Sequence, residues 1–69
     1  MRLSARNQLP GTVVSVDDGA VMSTVVIRLE GGQEVVSVIT RESAHNLDLK
    51  QGDAVVAVIK STEVMVGKD

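Results

Sequence analysis

Ser4, Arg6 and Asn7 stand together in SARNQLPG (Ser4–Gly11), near the start of the chain. Lys60, Ser61 and Thr62 stand together in IKSTE (Ile59–Glu63), near its other end. Each of these side chains can donate a hydrogen bond, and none is a carboxylate. A donor-only set suits a dianion that brings acceptor oxygens and no protons, such as a tetrahedral oxyanion. Charged donors make the shorter and stronger bonds, and backbone N–H groups at a turn or bulge can add to such a cradle. Phosphate near neutral pH carries a proton that needs an acceptor, and a site made of donors leaves that proton unpaired at a cost. A blander reading competes on residue type alone. Ser, Asn and Arg near a terminus are commonly solvated, and Lys-Ser-Thr before a strand commonly makes a turn.

Other chemistry has little to stand on. His45 is the only histidine and has no cysteine beside it, because the chain has none, so a Cys/His zinc site and disulfides are excluded. His45 falls in a helical stretch and reads as a surface residue. Asp17 and Asp18 precede Gly19 and read as turn formers rather than metal ligands. Ser4, Ser15, Ser23, Ser37, Ser43 and Ser61 have no visible general base, which leaves no nucleophilic serine. The glycines do not build a phosphate-binding loop of the G-x-x-x-x-G-K-[ST] kind. The expectation is a binding protein, not an enzyme, with no cofactor and no direct protein–metal ligand.

The elements that must position the donors are mainly β. Leu9 to Val16 is rich in β-branched residues, and Asp17 to Ala20 (DDGA) reads as a turn. In Val21 to Glu30, Val21, Val25, Ile27 and Leu29 share one face of an extended chain. Gly31-Gly32 marks a hairpin into a third strand, Gln33 to Thr40. Both faces of that strand are largely apolar, with Val36 and Val38 on one and Val35, Ser37 and Ile39 on the other. A small domain has one inside, so the second face is expected to meet another subunit. Thr40 to Leu49 changes pattern. Thr40 fits an N-cap, Glu42 the first turn, and Ala44 and Leu47 one helical face. Gln51-Gly52-Asp53 turns the chain into a fourth strand, Ala54 to Lys60. Ser61-Thr62 reads as a bulge or bend before a fifth strand, Glu63 to Val66. Three strands, a short helix and two strands is the order of a small five-stranded OB-type barrel, with the helix between strands three and four.

Sixty-nine residues allow one small domain, residues 1–69. A chain of this size is marginal alone, and with disulfides and zinc excluded, oligomerisation is the remaining staple. A net charge of -2 and the absence of Phe, Tyr and Trp argue against a nucleic-acid surface, which is usually basic or carries stacking platforms. No apolar run is long enough to span a membrane, and the polar stretch Met1 to Pro10 is not a signal peptide, so the expected compartment is the cytoplasm. An OB-type module that binds a protein or a nucleic acid is the competing class, and an apolar outer face would serve any protein partner.

SARNQLPGTVVSV (Ser4–Val16), VVIRLEGGQEVVSVIT (Val25–Thr40) and VVAVIKSTEVMV (Val55–Val66) resemble, in register and over nearly the whole chain, the molbindin (Mop) family of small cytoplasmic molybdate-binding proteins. The same unit is known as the Mop-type TOBE domain of molybdate transporter ATPases and molybdate-responsive regulators. The resemblance implies storage or buffering of molybdate, and of tungstate, by a homohexamer arranged as a trimer of dimers with oxyanion sites between subunits. It carries Ser4, Ala5, Arg6 and Asn7 onto a first donor segment, in which Ala5 offers only backbone. Lys60, Ser61 and Thr62 fall on a second. Lys60 would supply charge and Ser61 a hydroxyl and an N–H, while Arg6 would act by backbone or by side chain. Ser37 and Thr40 match polar positions of the third strand, and the turn Gly19, Ala20, Val21, Met22 is a further approach to an anion near a symmetry axis.

Overall fold

The structure, a computed structural model, describes all 69 residues. Strand β1 runs Asn7–Asp18, β2 Met22–Leu29 and β3 Glu34–Thr40. Helix α1 (Arg41–Asn46) follows, then β4 (Ala54–Ile59) and a single 3-10 turn, Ser61–Glu63. The strands form one antiparallel sheet in the order β3-β2-β1-β4, curled into a half-barrel with the helix after the third strand.

The curl depends on β1. Its first half pairs with β4, from Asn7↔Ile59 to Thr12↔Ala54, and its second half pairs with β2, from Gly11↔Leu29 to Asp18↔Ser23. A bulge at Val14 separates Val13↔Ile27 from Ser15↔Val26 and Val16↔Val25. One inserted residue reverses the alternation of faces, so Val13 and Val16, three apart, both point inward, and it adds local twist. Gly11 lies where β2 and β4 both pair with β1. A Cβ there would stand 2.7 Å from the Arg28 carbonyl oxygen and 2.7 Å from Ile27 Cγ2, so the close approach needs glycine.

The core on the concave side is small and aliphatic: Val13, Val25, Ile27 and Ala57 are buried, with Val16, Leu29, Ile39, Leu49 and Val55 packed around them. Helix α1 adds buried Ala44 and is capped by Thr40, whose hydroxyl oxygen accepts from the Ser43 N–H at 3.0 Å. The short helix falls inside the Thr40–Leu49 stretch as expected and ends at Asn46: Leu47, still in the right-handed helical region, is its C-cap, and the chain leaves helical geometry at Asp48. Asp48 has φ 51°, and the Leu49 N–H returns to the Ala44 carbonyl at 3.1 Å. The Gly32 and Gly52 turns, at φ 93° and 94°, lie at the expected places.

Two expectations are corrected. Asp17 and Asp18 are strand residues, paired with Thr24 and Ser23, and the turn is confined to Gly19–Val21. The expected fifth strand, Glu63 to Val66, is absent from this chain, which has four. After Ile59 the backbone closes into the 3-10 turn, with the Glu63 N–H bonded to the Lys60 carbonyl at 2.9 Å, and this turns the chain off the sheet. β-Branched composition favours a strand only where an edge is present to pair with. Val64, Met65 and Val66 instead lie exposed, the last two at 93% and 92%. Val36 and Val38, on the outer face of β3, are also exposed, at 64% and 60%.

Candidate functional site

The β1–β4 register brings the two donor segments together. Asn7 pairs with Ile59, so the residues just before Asn7 lie beside those just after Ile59. An open recess of about 720 Å³ is lined there by Ser4, Ala5, Arg6, Asn7, Val58, Lys60 and Ser61. Arg6 and Lys60 are its two cations, and no carboxylate lines it. None of the side chains of Ser4, Arg6, Asn7, Lys60, Ser61 and Thr62 spends its hydrogen-bonding capacity within the chain. The backbone N–H groups of Ser4, Ala5 and Arg6 also have no backbone acceptor. Ser61 opens the 3-10 turn, where the first amides have no partner within the turn. Such a cluster of free N–H and O–H donors around two positive charges can hold an anion. It holds no carboxylate to take up a proton.

Of the residues singled out in the sequence, six of the seven in the two donor segments line this recess. Thr62 is the exception, one residue past Ser61 in the turn. Thr40, Ala20 and Val21 line a separate, shallower recess of about 430 Å³ with Arg41, Glu42 and His45. The Thr40 hydroxyl is already engaged there: besides capping α1 it donates to Ser43 Oγ at 2.8 Å. Gly19 and Met22 close the adjacent turn through an N–H to carbonyl bond of 2.7 Å, and the Arg41 N–H bonds to the Val21 carbonyl at 2.8 Å. Ser37 is in neither recess. It is half-buried on the concave face of β3, opposite Val25.

Two arrangements escaped the sequence reading. Gln8 Nε2 donates to the Ala5 carbonyl oxygen at 2.6 Å, tying the first donor segment to β1. A Gln three residues after a loop carbonyl is the only signal that points to it. Asp18 holds buried Ser23 Oγ on one carboxylate oxygen at 2.5 Å and His45 Nε2 on the other at 3.2 Å. The Ser23 hydroxyl first, and His45 second, keep the Asp18 carboxyl below its usual value. The carboxylate stands between serine and histidine, so the imidazole does not touch the hydroxyl and the serine–histidine contact of a nucleophilic triad is not formed. Nowhere do three or more His, Cys, Asp or Glu side chains gather as metal ligands would. No helix is long and apolar enough to cross a membrane.

Comparison with known proteins places the chain in a family. The TOBE domain family matches residues 3–66. The chain is 48% identical over 66 residues to molybdenum-pterin-binding protein 3 of Clostridium pasteurianum, covering 96% of this chain and 97% of that protein. Its fold superposes with a TM-score of 0.92 on a molybdate-binding protein from Sporomusa ovata, at 43% identity and 99% coverage of this chain and 100% of that one. A TM-score of 0.84 and 48% identity relate it to the cytoplasmic molybdate-binding protein ModG with molybdate bound, over 88% of this chain and 43% of that one. With near-complete coverage at this identity, the chain belongs to the TOBE-domain family, and within it to the molybdenum-pterin-binding (Mop) proteins.

Proposed function

We propose that this chain binds molybdate, and tungstate with it, as a cytoplasmic storage protein that performs no reaction on the anion. The observation that carries the reading is the pairing of Asn7 with Ile59, which gathers the donors of both chain ends around one recess free of carboxylates. The relatives named for molybdate, one of them described as cytoplasmic, support the same ligand and compartment. Other relatives are named for a molybdenum–pterin complex. A pterin ring is best held by an aromatic face or an apolar slot. The chain has no aromatic residue, and the recess is lined mostly by polar groups, so the inorganic anion is the better fit.

The recess is open to solvent on one side, and the proposal includes a second subunit closing it, within a hexamer built as a trimer of dimers. Support comes from the apolar surface this chain leaves uncovered. The concave face opens into a groove of about 420 Å³ lined mainly by Val, Ile and Leu, Val36 and Val38 are exposed, and Val64–Val66 has no strand to pair with. A partner's strand on a free sheet edge would supply the fifth strand of a barrel. Discrimination then follows from protonation and size. Phosphate brings a proton that finds no carboxylate to receive it, sulfate is smaller and leaves its bonds too long in a rigid cavity closed by a partner, and tungstate nearly matches molybdate.

Calorimetric titration with molybdate, tungstate, sulfate and phosphate at one ionic strength tests this, with light scattering giving the mass of the same sample. The expected result is saturable binding of the first two only, by an assembly several times the 7.3 kDa of the chain. Equal binding of sulfate, or a monomer that binds as well as the assembly, would reject it.

A further inference from the structure

We propose that Gln8 is a positioning residue for the donor recess: by holding the Ala5 carbonyl, its side-chain amide fixes the Ala5–Arg6 peptide and keeps that carbonyl's oxygen engaged away from an anion. The inference rests on the oxyanion reading above and adds to it a residue that touches no ligand.

Gln8 pairs with Val58, so their side chains lie on the same face of the sheet; Val58 lines the recess, and Lys60 follows two residues on. From that face Gln8 Nε2 reaches back to the Ala5 oxygen at 2.6 Å. A carbonyl oxygen can only accept, so the atom facing it is the amide nitrogen. Ala5 precedes β1 and has no ladder partner, so this bond is what ties the segment down. The Ala5 carbonyl and the Arg6 N–H belong to one trans peptide and point in opposite directions. Holding the first therefore orients the second, an N–H with no backbone acceptor in a residue that lines the recess. An untethered peptide could rotate its negative oxygen toward a dianion. Fixing donors before the ligand arrives removes part of the ordering cost of binding.

The experiment uses the intact assembly and two variants. Gln8→Met keeps length and removes the donor; Gln8→Lys returns an N–H donor of similar reach. Backbone 15N relaxation without ligand and molybdate titration are measured on each. For Gln8→Met we expect lower order parameters at Ala5 and Arg6, unchanged values from Leu9 onward, an unchanged melting temperature without ligand, and molybdate affinity down by about three- to tenfold. In Gln8→Lys the order at Ala5 and Arg6 returns. Gln8→Met with wild-type order and wild-type affinity overturns the proposal, as does a loss of order spread through β1. If wild-type protein gives no molybdate heat, the oxyanion reading fails. The relaxation data then still decide whether Gln8 fixes the peptide.

Discussion

Replacing Lys60 by Met removes one of the two cations at the recess and keeps most of the apolar stem. The ion pairs of the chain are Arg28–Glu34 and Lys50–Asp48, and Asp18 is held by Ser23 and His45, so Lys60 leaves no carboxylate behind and the ligand-free fold should be unaffected. Bound anion is another matter. Two unit charges about 4 Å apart near a protein surface attract by about 4 kcal/mol, and desolvation and side-chain ordering return part of it. The net figure for a charged hydrogen bond is about 1.5–3 kcal/mol, or about 10- to 150-fold in Kd. Calorimetric titration of wild type and Lys60→Met with molybdate at one ionic strength reads this directly. Lys50→Met is the control, since Lys50 pairs with Asp48 outside the recess. A Kd within twofold of wild type, with assembly and melting temperature intact, would take Lys60 out of the site and leave Arg6 as the only charged contact.

Gly11→Ala should lower the melting temperature by an amount corresponding to about 1–3 kcal/mol, because the new methyl meets backbone at 2.7 Å; denaturant unfolding measures it. The Asp18 carboxyl is depressed in the folded state, so its contribution is present above the ordinary carboxylate value and lost as pH falls through the depressed one. Asp18→Asn should therefore show a flatter loss of stability than wild type below about pH 4 in acid titrations followed by circular dichroism. Molybdate at a hundredfold excess over Kd should stabilise the native state by about 2.7 kcal/mol per site. Sulfate at equal ionic strength should do much less, and deleting Met1–Asn7 should remove the molybdate-specific part, as thermal unfolding would show.

The donors were legible in the sequence because their chemistry is local: Ser, Arg, Asn and Lys donate wherever they stand. Their meeting was not legible, since it depends on the register Asn7↔Ile59, which no spacing along the chain reveals. The strands β1 to β4 follow from β-branched runs and from turns at Gly32 and Gly52. The fifth strand failed for the converse reason. Val64-Met65-Val66 has strand composition, but pairing is a property of an edge and not of the segment. By residue type Thr40 fits both a helix cap and a candidate ligand. The structure shows the cap bond, which engages the hydroxyl in the ligand-free chain. Asp18 looked like a turn residue because its partners, Ser23 and His45, come from other elements.

The pairing of β1 with β4 also has a kinetic consequence. The β1–β2 and β2–β3 hairpins join neighbours in the sequence, whereas β1 and β4 meet only after a loop running from Thr12 to Ala54 has closed. Contacts of such long range carry the largest closure entropy and form slowly. During synthesis the first donor segment leaves the ribosome well before Lys60 and Ser61 are made. If the recess is the anion site, capture there waits on closure of this loop: a nascent chain that has not reached Lys60 holds Arg6 and lacks the second cation.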